Sequence, residues 1–436
     1  MTVGNSAECF GASAKMITFV DTSRRSGRPL CRPLRSDALC DGQMIDDMKH
    51  EKHTIGFDAK RANANRTGLG NYSRFVIDAL AEACGDRAYL RLYIPKRKAN
   101  AEFDALTARE NVESMVPRGG MWQRLSALWR TVHVASDAAC DSVALFHGLS
   151  NELPLGLARR SIRSVVTIHD LIFLRYPAYY KFIDRKIYEW KFRSACRRAD
   201  RIIAVSECTK RDIVKFFGID PDKIDVVYQG CDTMFAEPVT EEHRQKAAAR
   251  YALPERYILN VGTLEERKNL MAIVEALALL PQHIHLVAVG RATPYLDRVR
   301  RRMAELGVTD RVHLLHDVAY RDLPAVYATA DVFVYPSRFE GFGIPIIEAQ
   351  SIGVPVVAAT GSCLEEAGGD AALYVSPDDV WALANAVKGI LADVELRCSM
   401  VERGREQVRR FDAPCIARDI MKCYKHIGID LTDELP

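Results

Sequence analysis

Two series of short apolar runs, each alternating with stretches of helical periodicity, constrain the fold of this 436-residue chain most strongly. The runs have the length of strands, and the stretches between them place apolar residues on one helical face. This alternation is typical of a parallel sheet covered by helices. The predicted strands are 55–58, 90–94, 143–146, 165–168, 202–205 and 224–228 in the first series, and 257–261, 284–289, 312–315, 331–335, 354–358 and 372–375 in the second.

A polar, charged stretch separates the two series and divides the chain. Since 436 residues exceed one ordinary core, we predict an α/β protein of two Rossmann-like domains with the ligand in the cleft between their strand C-terminal ends. The predicted divisions are a disordered leader or over-extended start at 1–52, an N-terminal domain at 53–236, a linker at 237–252, a C-terminal domain at 253–410, and at 411–436 a helix that returns to the N-terminal domain.

Composition narrows the class of protein. Hydrophobic residues at 48%, charged residues at 27% and a net charge of +3 are ordinary for a globular protein and give no indication of nucleic-acid binding. The twelve cysteines lack zinc-type spacing, which favours a reduced cytoplasmic protein. No run approaches the length of a membrane span, and the N-terminus lacks a signal-peptide core, so we expect any membrane contact to be peripheral.

The segment 337–348 combines two carboxylates with a glycine turn after a predicted strand. Gly341 and Gly343 allow a ligand to approach the backbone closely, and free N–H groups at the following helix start attract an anion. We expect Glu340 in the loop and Glu348 in the first helical turn, both leaning toward one ligand and binding its hydroxyls. A glycine-rich turn and a helix-start Glu are also common in α/β proteins, which leaves an ordinary structural role open.

A basic pair follows the first strand of the second series. Gly262 ends that strand, and Arg267 and Lys268 come shortly after it. A guanidinium fork beside a compact ammonium suits the capture of a diphosphate. The alternative is a solvated basic helix start.

Together these segments resemble the retaining GT-B glycosyltransferases of family 4 (group 1), and especially bacterial mannosyltransferases of surface polysaccharide synthesis. The resemblance extends from residue 54 to about residue 425. The stretches that carry it are 262–269, 340–349, 67–72, 167–171 and 199–206.

The resemblance implies a role for each matching position. Arg267 and Lys268 would hold the diphosphate, Glu340 the donor sugar and Glu348 the ribose. His169 would face the sugar across the cleft. The implied catalytic residues are His169, Lys268 and Glu340, and the implied donor-binding residues are Gly68, Gly70, Gly262, Arg267, Lys268, Glu340, Gly341, Phe342, Gly343 and Glu348.

His169 and its neighbour also admit a structural interpretation. A His beside an Asp is often held in one tautomer for structural reasons, although its position at a strand end favours the site. Asp170 is expected to cap the next turn. The string 220–222 matches Asp-x-Asp but lies in a short polar turn, so it predicts a turn and no metal site.

The predicted function is transfer of a hexose, most specifically mannose from GDP-mannose, to a lipid-linked saccharide in O-antigen, capsule or exopolysaccharide synthesis. We expect retention of configuration, no metal and no other cofactor, in an enzyme of the cytoplasm or of the inner face of the cytoplasmic membrane. The N-terminal domain would hold the acceptor and the C-terminal domain the nucleotide sugar. Open alternatives are a UDP-hexose or deoxyhexose donor, and a catalytically silent sugar-nucleotide-binding protein.

A predicted helix at 179–201 is rich in aromatic and basic residues. These side chains could meet an anionic bilayer that holds the acceptor, or the rings could pack in the core while the charges are solvated. A nicotinamide-dependent oxidoreductase is not favoured, because Gly68 and Gly70 are not followed by the third glycine of the dinucleotide fingerprint.

Overall fold

The computed structural model describes residues 52–65 and 68–431, so the predicted leader before Lys52, and Thr67 at the start of the stretch 67–72, lie outside the described residues. Two parallel sheets organise this part of the chain, which confirms the predicted α/β class. The first contains β1 (His53–Asp58), β2 (Ala88–Tyr93), β3 (Val112–Met115), β4 (Leu145–Gly148), β5 (Arg163–Ile168), β6 (Arg201–Ala204) and β7 (Ile224–Val226). The second contains β8 (Tyr257–Val261), β9 (His285–Val289), β10 (Val312–Leu315), β11 (Val332–Tyr335), β12 (Val356–Ala359) and β13 (Ala372–Val375).

Both sheets wind outward in two directions from their first strand. The orders are β3-β2-β1-β4-β5-β6-β7 and β10-β9-β8-β11-β12-β13. In the second sheet Val332 pairs with Ile258 and Phe333 with Leu259, so β8 and β11 are neighbours. The turns that follow these two strands therefore meet at the carboxyl edge, where ligands bind in open α/β sheets.

Helices connect the strands in both halves. Their bounds are α1 (Lys60–Ala64), α2 (Gly68–Cys84), α3 (Ala101–Leu106), α4 (Gly120–Arg124), α5 (Ser126–Leu128), α6 (Val134–Cys140), α7 (Ile172–Arg175), α8 (Phe182–Arg198), α9 (Glu207–Phe217), α10 (Glu241–Tyr251), α11 (Leu270–Leu277), α12 (Tyr295–Glu305), α13 (Leu323–Ala328), α14 (Ile344–Ile352), α15 (Leu364–Gly368), α16 (Val380–Ala392), α17 (Val394–Val408) and α18 (Ala413–Lys425). No helix in the described ranges is both long enough and apolar enough to cross a bilayer.

The stretch 237–252, predicted as a linker, is mostly the helix α10. Thr240 caps it by accepting the N–H of His243, and Ala247 is buried. The hydroxyl of Tyr251 donates to Asp322 beside α13 at 2.7 Å. These contacts place most of the segment within the second half, despite its polar composition.

The last helix lies against the first half. Ile416 and Ile420 of α18 share a buried apolar cluster with Ile55 and Phe57 of β1. The hydroxyl of Tyr424 lies 2.7 Å from Nδ1 of the buried His147 at the end of β4. The chain thus crosses back from the second half to complete the core of the first.

Candidate functional site

The turn between β11 and α14 brings the two halves together. Gly343 has φ +146° at the cap of α14, a backbone conformation that side chains disfavour. A Cβ at Gly341 would lie 2.1 Å from the carbonyl oxygen of His169, so the first half leaves room only for glycine there. Phe342 is buried, and its ring stacks on Tyr228 with centroids 5.5 Å apart. Its predicted donor contact is therefore confined to its backbone.

A charged cluster joins the turns after β8 and β11. The Glu340 carboxylate lies 2.7 Å from Nη1 of Arg267 and 2.6 Å from Nζ of Lys268. Ser337 donates to the same carboxylate at 2.5 Å, and Glu265 pairs with Arg267 at 2.6 Å. The structure thus brings Glu340 to Arg267 and Lys268, which are adjacent to each other but far from Glu340 in the sequence. Two carboxylates balance the two cations.

Electrostatics keep Glu340 ionised in spite of its burial. Burial alone would raise the pKa of this carboxyl, but the adjacent Arg267 and Lys268 outweigh it and lower the pKa to about 2. The carboxylates of Glu340 and Glu265 in turn raise the pKa of Arg267 against the effect of its own burial. Glu340 and Arg267 therefore carry opposite charges at neutral pH.

The local backbone holds the basic pair at the sheet edge. Gly262 has φ +146°, and a Cβ there would lie 3.5 Å from Cε of Lys268, so the lysine stem packs over this glycine. Asn269 adopts the left-handed conformation at φ 58°. Its amide donates to the carbonyl of Pro377 at 2.7 Å, which ties the end of the turn to the body of the second half.

Glu348 lies one turn further into the helix than predicted. Because α14 begins at Ile344, Glu348 is its fifth residue and belongs to the second turn. Its carboxylate is buried and accepts the Tyr327 hydroxyl at 2.9 Å. Burial raises the pKa of Glu348 to about 7, while the hydrogen bond from Tyr327 opposes the shift. This carboxyl can therefore gain or lose its proton near neutral pH.

His169 follows β5 and has both ring nitrogens engaged within the first half. Nε2 lies 2.9 Å from the carbonyl oxygen of Leu149, and Nδ1 lies 2.8 Å from Nε2 of Gln229. This arrangement requires Nε2 to carry the proton and Nδ1 to accept from the Gln229 amide. Burial lowers the pKa of His169 to about 4, so the ring is neutral. The carbonyl of His169 packs closely against Gly341, in the turn between β11 and α14. Both nitrogens of its ring are hydrogen-bonded to other groups of the protein.

Gly68 and Gly70, which the resemblance assigns to donor binding, belong to the first turn of α2. A Cβ at Gly70 would lie 1.9 Å from the carbonyl oxygen of Asn65. Glycine at position 70 thus permits close backbone packing. Among the described residues, apart from chain neighbours, no atom lies within 4 Å of a Cβ at Gly68.

The polar turns behave as the sequence indicated. Asp170 accepts the N–H of Ile172 at 3.1 Å and so caps the next turn. Asp220 accepts the N–H of Asp222 at 2.9 Å.

Two residues that contact the charged cluster or its turn, Tyr335 and Cys363, were not predicted from the sequence. Tyr335 ends β11, and its hydroxyl contacts both Lys268 and Glu340. The thiol of Cys363 contacts the carbonyls of Glu340 and Phe342 at 3.0 and 2.7 Å. A hydroxyl-bearing ring at the last position of an apolar strand is a recognisable signal for Tyr335. The role of Cys363 depends on packing between distant segments and has no such signal.

Comparisons with known proteins agree with this arrangement. Residues 72–235 match the family described as Glycosyltransferase Family 4, and residues 239–407 match Glycosyl transferases group 1. The chain is 30% identical over 286 residues to O-antigen chain mannosyltransferase B of Escherichia coli, a match that spans 64% of this chain and 74% of that protein. It is 29% identical over 247 residues to O-antigen chain mannosyltransferase RfbU of Salmonella typhimurium, spanning 57% of this chain and 65% of that protein.

A solved structure supports the same fold. The crystal structure of HepE from Anabaena in complex with UDP and glucose aligns with a TM-score of 0.68 at 20% sequence identity. The alignment covers 86% of this chain and 100% of HepE. Because both halves match these family models and the fold aligns with a solved structure over 86% of the chain, the chain belongs to the GT-B glycosyltransferases of family 4.

Proposed function

We propose that this chain is a retaining, metal-independent hexosyltransferase that transfers mannose from GDP-mannose to a lipid-linked saccharide in surface polysaccharide synthesis, at the cytoplasmic face of the membrane. The observation that carries the proposal is the convergence of Arg267, Lys268 and Glu340 at the carboxyl edge of the second sheet. Two clustered cations suit a diphosphate, and a carboxylate suits sugar hydroxyls.

The cluster provides a way to stabilise the leaving group. Negative charge develops on the diphosphate as the bond to the anomeric carbon breaks, and fixed cations lower the free energy of that transition state. Before the donor binds, Glu340 holds both cations in place. The diphosphate then competes for Arg267 and Lys268, which releases the Glu340 carboxylate to accept from the sugar. Because the protein's own cations neutralise the diphosphate, we propose that no metal takes part.

The choice of mannose and of the polysaccharide pathway rests on the relatives. Two of them are named O-antigen chain mannosyltransferases, and the chain is about as similar to one as to the other. Retention of configuration rests on the family resemblance. The buried Glu348 is the proposed partner of the ribose hydroxyls, with Tyr327 fixing its orientation.

A lipid-linked acceptor agrees with the exposed face of α8. Phe182, Ile183 and Trp190 are 63%, 70% and 68% exposed, while the buried residues of α8 are Ala195 and Cys196 near its end. Lys181 and Arg185 flank these apolar side chains. Apolar and basic groups on one helix suit the surface of an anionic bilayer. We propose that α8 holds the protein at the membrane where the acceptor resides.

The donor is tested by thermal unfolding with GDP, UDP, GDP-mannose and UDP-glucose in excess EDTA. The proposal predicts that GDP and GDP-mannose raise the melting temperature and that the uridine nucleotides do not. Stabilisation by UDP alone would indicate that the donor is a UDP-hexose. Stabilisation without any turnover would favour the catalytically silent alternative, and a strict need for added manganese would exclude metal independence.

Membrane contact is tested by sedimentation with phosphatidylethanolamine vesicles, with and without phosphatidylglycerol. Replacing Phe182 and Trp190 by Ser should release the protein from the anionic vesicles. Trp381→Ser is the matched control, because Trp381 is 65% exposed on α16 of the second half. Equal binding of the α8 variant and the wild type would remove the membrane role of α8.

A further inference from the structure

The start of α9 ties the two sides of the site together. The Ser206 hydroxyl donates to the carbonyl of Gly341 at 2.7 Å, across the two halves. The Thr209 hydroxyl lies 3.2 Å from the carbonyl oxygen of His169 and 3.3 Å from that of Gly341. Ser206 and Thr209 are both buried. The position of α9 therefore sets the distance between His169, at the end of β5, and Gly341, in the turn between β11 and α14.

A carboxylate from the second half caps this same helix. Glu366 of α15 accepts the N–H of Glu207 at 2.6 Å and the N–H of Cys208 at 2.9 Å. These are the first two residues of α9, whose N–H groups have no partner within the helix. Hydrogen bonds to an ionised acceptor at the positive end of a helix are stronger than neutral ones. The cap therefore attaches α9 to the donor-binding half.

We propose that Glu366 is a positioning residue for hexosyl transfer, which holds α9 so that His169 and the Gly341 turn keep their alignment. The inference rests on the proposed function, because it assigns Glu366 to that reaction. Arg267, Lys268, Glu340 and Glu348 all lie in the second half, so nucleotide binding does not depend on the cap. Hexosyl transfer does depend on the cap, because transfer needs groups from both halves in their correct relative positions.

Three variants test the hydrogen bonds between the Glu366 carboxylate and the start of α9, two by changing the acceptor and one by removing a donor. Glu366→Ala removes the acceptor, and Glu366→Gln keeps one uncharged oxygen. Glu207→Pro removes the N–H donor, since proline is well tolerated at the first helical position and the Glu207 side chain is exposed. Ser206 already has the extended backbone, φ −162° and ψ 160°, that a residue before proline prefers.

The expected result is a separation of turnover from binding. Glu366→Ala should lower kcat by about tenfold or more, as small misplacements of reacting groups do, while GDP affinity stays within about twofold. Glu366→Gln should fall between Ala and the wild type. Glu207→Pro should lower kcat as well, and adding it to Glu366→Ala should cause little further loss, because both remove one contact.

A cap that only stabilises its helix would give a different pattern. Thr240→Ala removes a similar cap from α10 without touching the first half, so it should leave kcat within about twofold of the wild type. Amide hydrogen exchange at Glu207 and Cys208 reports the contact without any turnover, and it should accelerate in Glu366→Ala. Unchanged exchange, unchanged kcat, or equal losses in the Glu366 and Thr240 variants would each overturn the inference. Absence of transfer by the wild type would instead refute the proposed function.

Discussion

Replacing Glu340 by Gln tests the buried charge cluster of the donor site. Gln has nearly the same shape but no charge, and the side chains of Glu340, Arg267 and Lys268 are only 11%, 15% and 14% exposed. The substitution leaves two mostly buried cations, with Glu265 as the remaining carboxylate beside Arg267. An incompletely paired charge in such a place is strongly destabilising.

The expected magnitude follows from the pKa of Glu340. A fall from 4.5 to about 2 corresponds to about 3 kcal/mol in the free energy of unfolding, at 1.36 kcal/mol per unit. Because the folded pKa lies below the unfolded one, this stabilisation is complete above about pH 4.5 and is lost as the pH falls toward 2. Loss of one partner from a buried ion pair typically costs about 3–5 kcal/mol, which agrees in size.

Urea unfolding followed by circular dichroism at neutral pH measures the difference. Glu340→Gln should lose about 3 kcal/mol without nucleotide, and saturating GDP should recover part of that loss because the diphosphate supplies negative charge to Arg267 and Lys268. The control is Glu113→Gln, which removes an exposed pair with Arg91 at 2.8 Å and should cost about 1 kcal/mol or less. If both variants unfolded at the same urea concentration, the buried cluster would not contribute as described.

Three further predictions concern single positions. Glu348 keeps its proton to about pH 7 in the folded state, so its contribution to stability should fall as the pH rises from about 4.5 to 7, and Glu348→Gln should become more stable relative to the wild type over that range; a constant difference in melting temperature across pH would contradict this. Gly70→Ala should destabilise the protein markedly, because the added Cβ would clash with the Asn65 carbonyl. Gly68→Ala should be neutral or should stabilise the protein by up to about 1 kcal/mol. Thermal melting of the two variants checks this, and equal effects would argue against close packing at Gly70. Lys268→Ala should weaken GDP binding about tenfold or more in calorimetry, the usual loss for a charged contact, and an unchanged dissociation constant would remove Lys268 from the diphosphate site.

The strands were predictable where apolar residues run together. The predicted segment 331–335 contains β11, and 257–261 matches β8, because both are buried on their two faces. The strand β3 (Val112–Met115) was not predicted, since it lies at the sheet edge and has only its first residue buried. Its sequence, Val-Glu-Ser-Met, gives too little hydrophobic signal to recognise.

The site residues were easier to identify than their contacts. Arg267, Lys268 and Glu340 have chemical types that suit a sugar nucleotide, and the order of the strands brings their turns together. The second-turn position of Glu348 follows from the start of α14 at Ile344. The ring partners of His169 and the cap that Glu366 gives to α9 depend on packing across distant segments. Neither periodicity nor residue type encodes such contacts in a single sequence.

Transfer from GDP-mannose is the most direct test of the proposed function. The full chain is incubated in EDTA with GDP-mannose carrying ¹³C at the anomeric carbon and with a bacterial membrane lipid extract, and the product is examined by nuclear magnetic resonance. We expect a lipid-linked mannoside with the α configuration of the donor, formed by the wild type and by the Glu113→Gln control, and greatly reduced in Lys268→Ala. A β-linked product, or mannose transfer that persists in Lys268→Ala, would contradict the proposed mechanism. Transfer only from UDP-sugars would contradict the proposed donor.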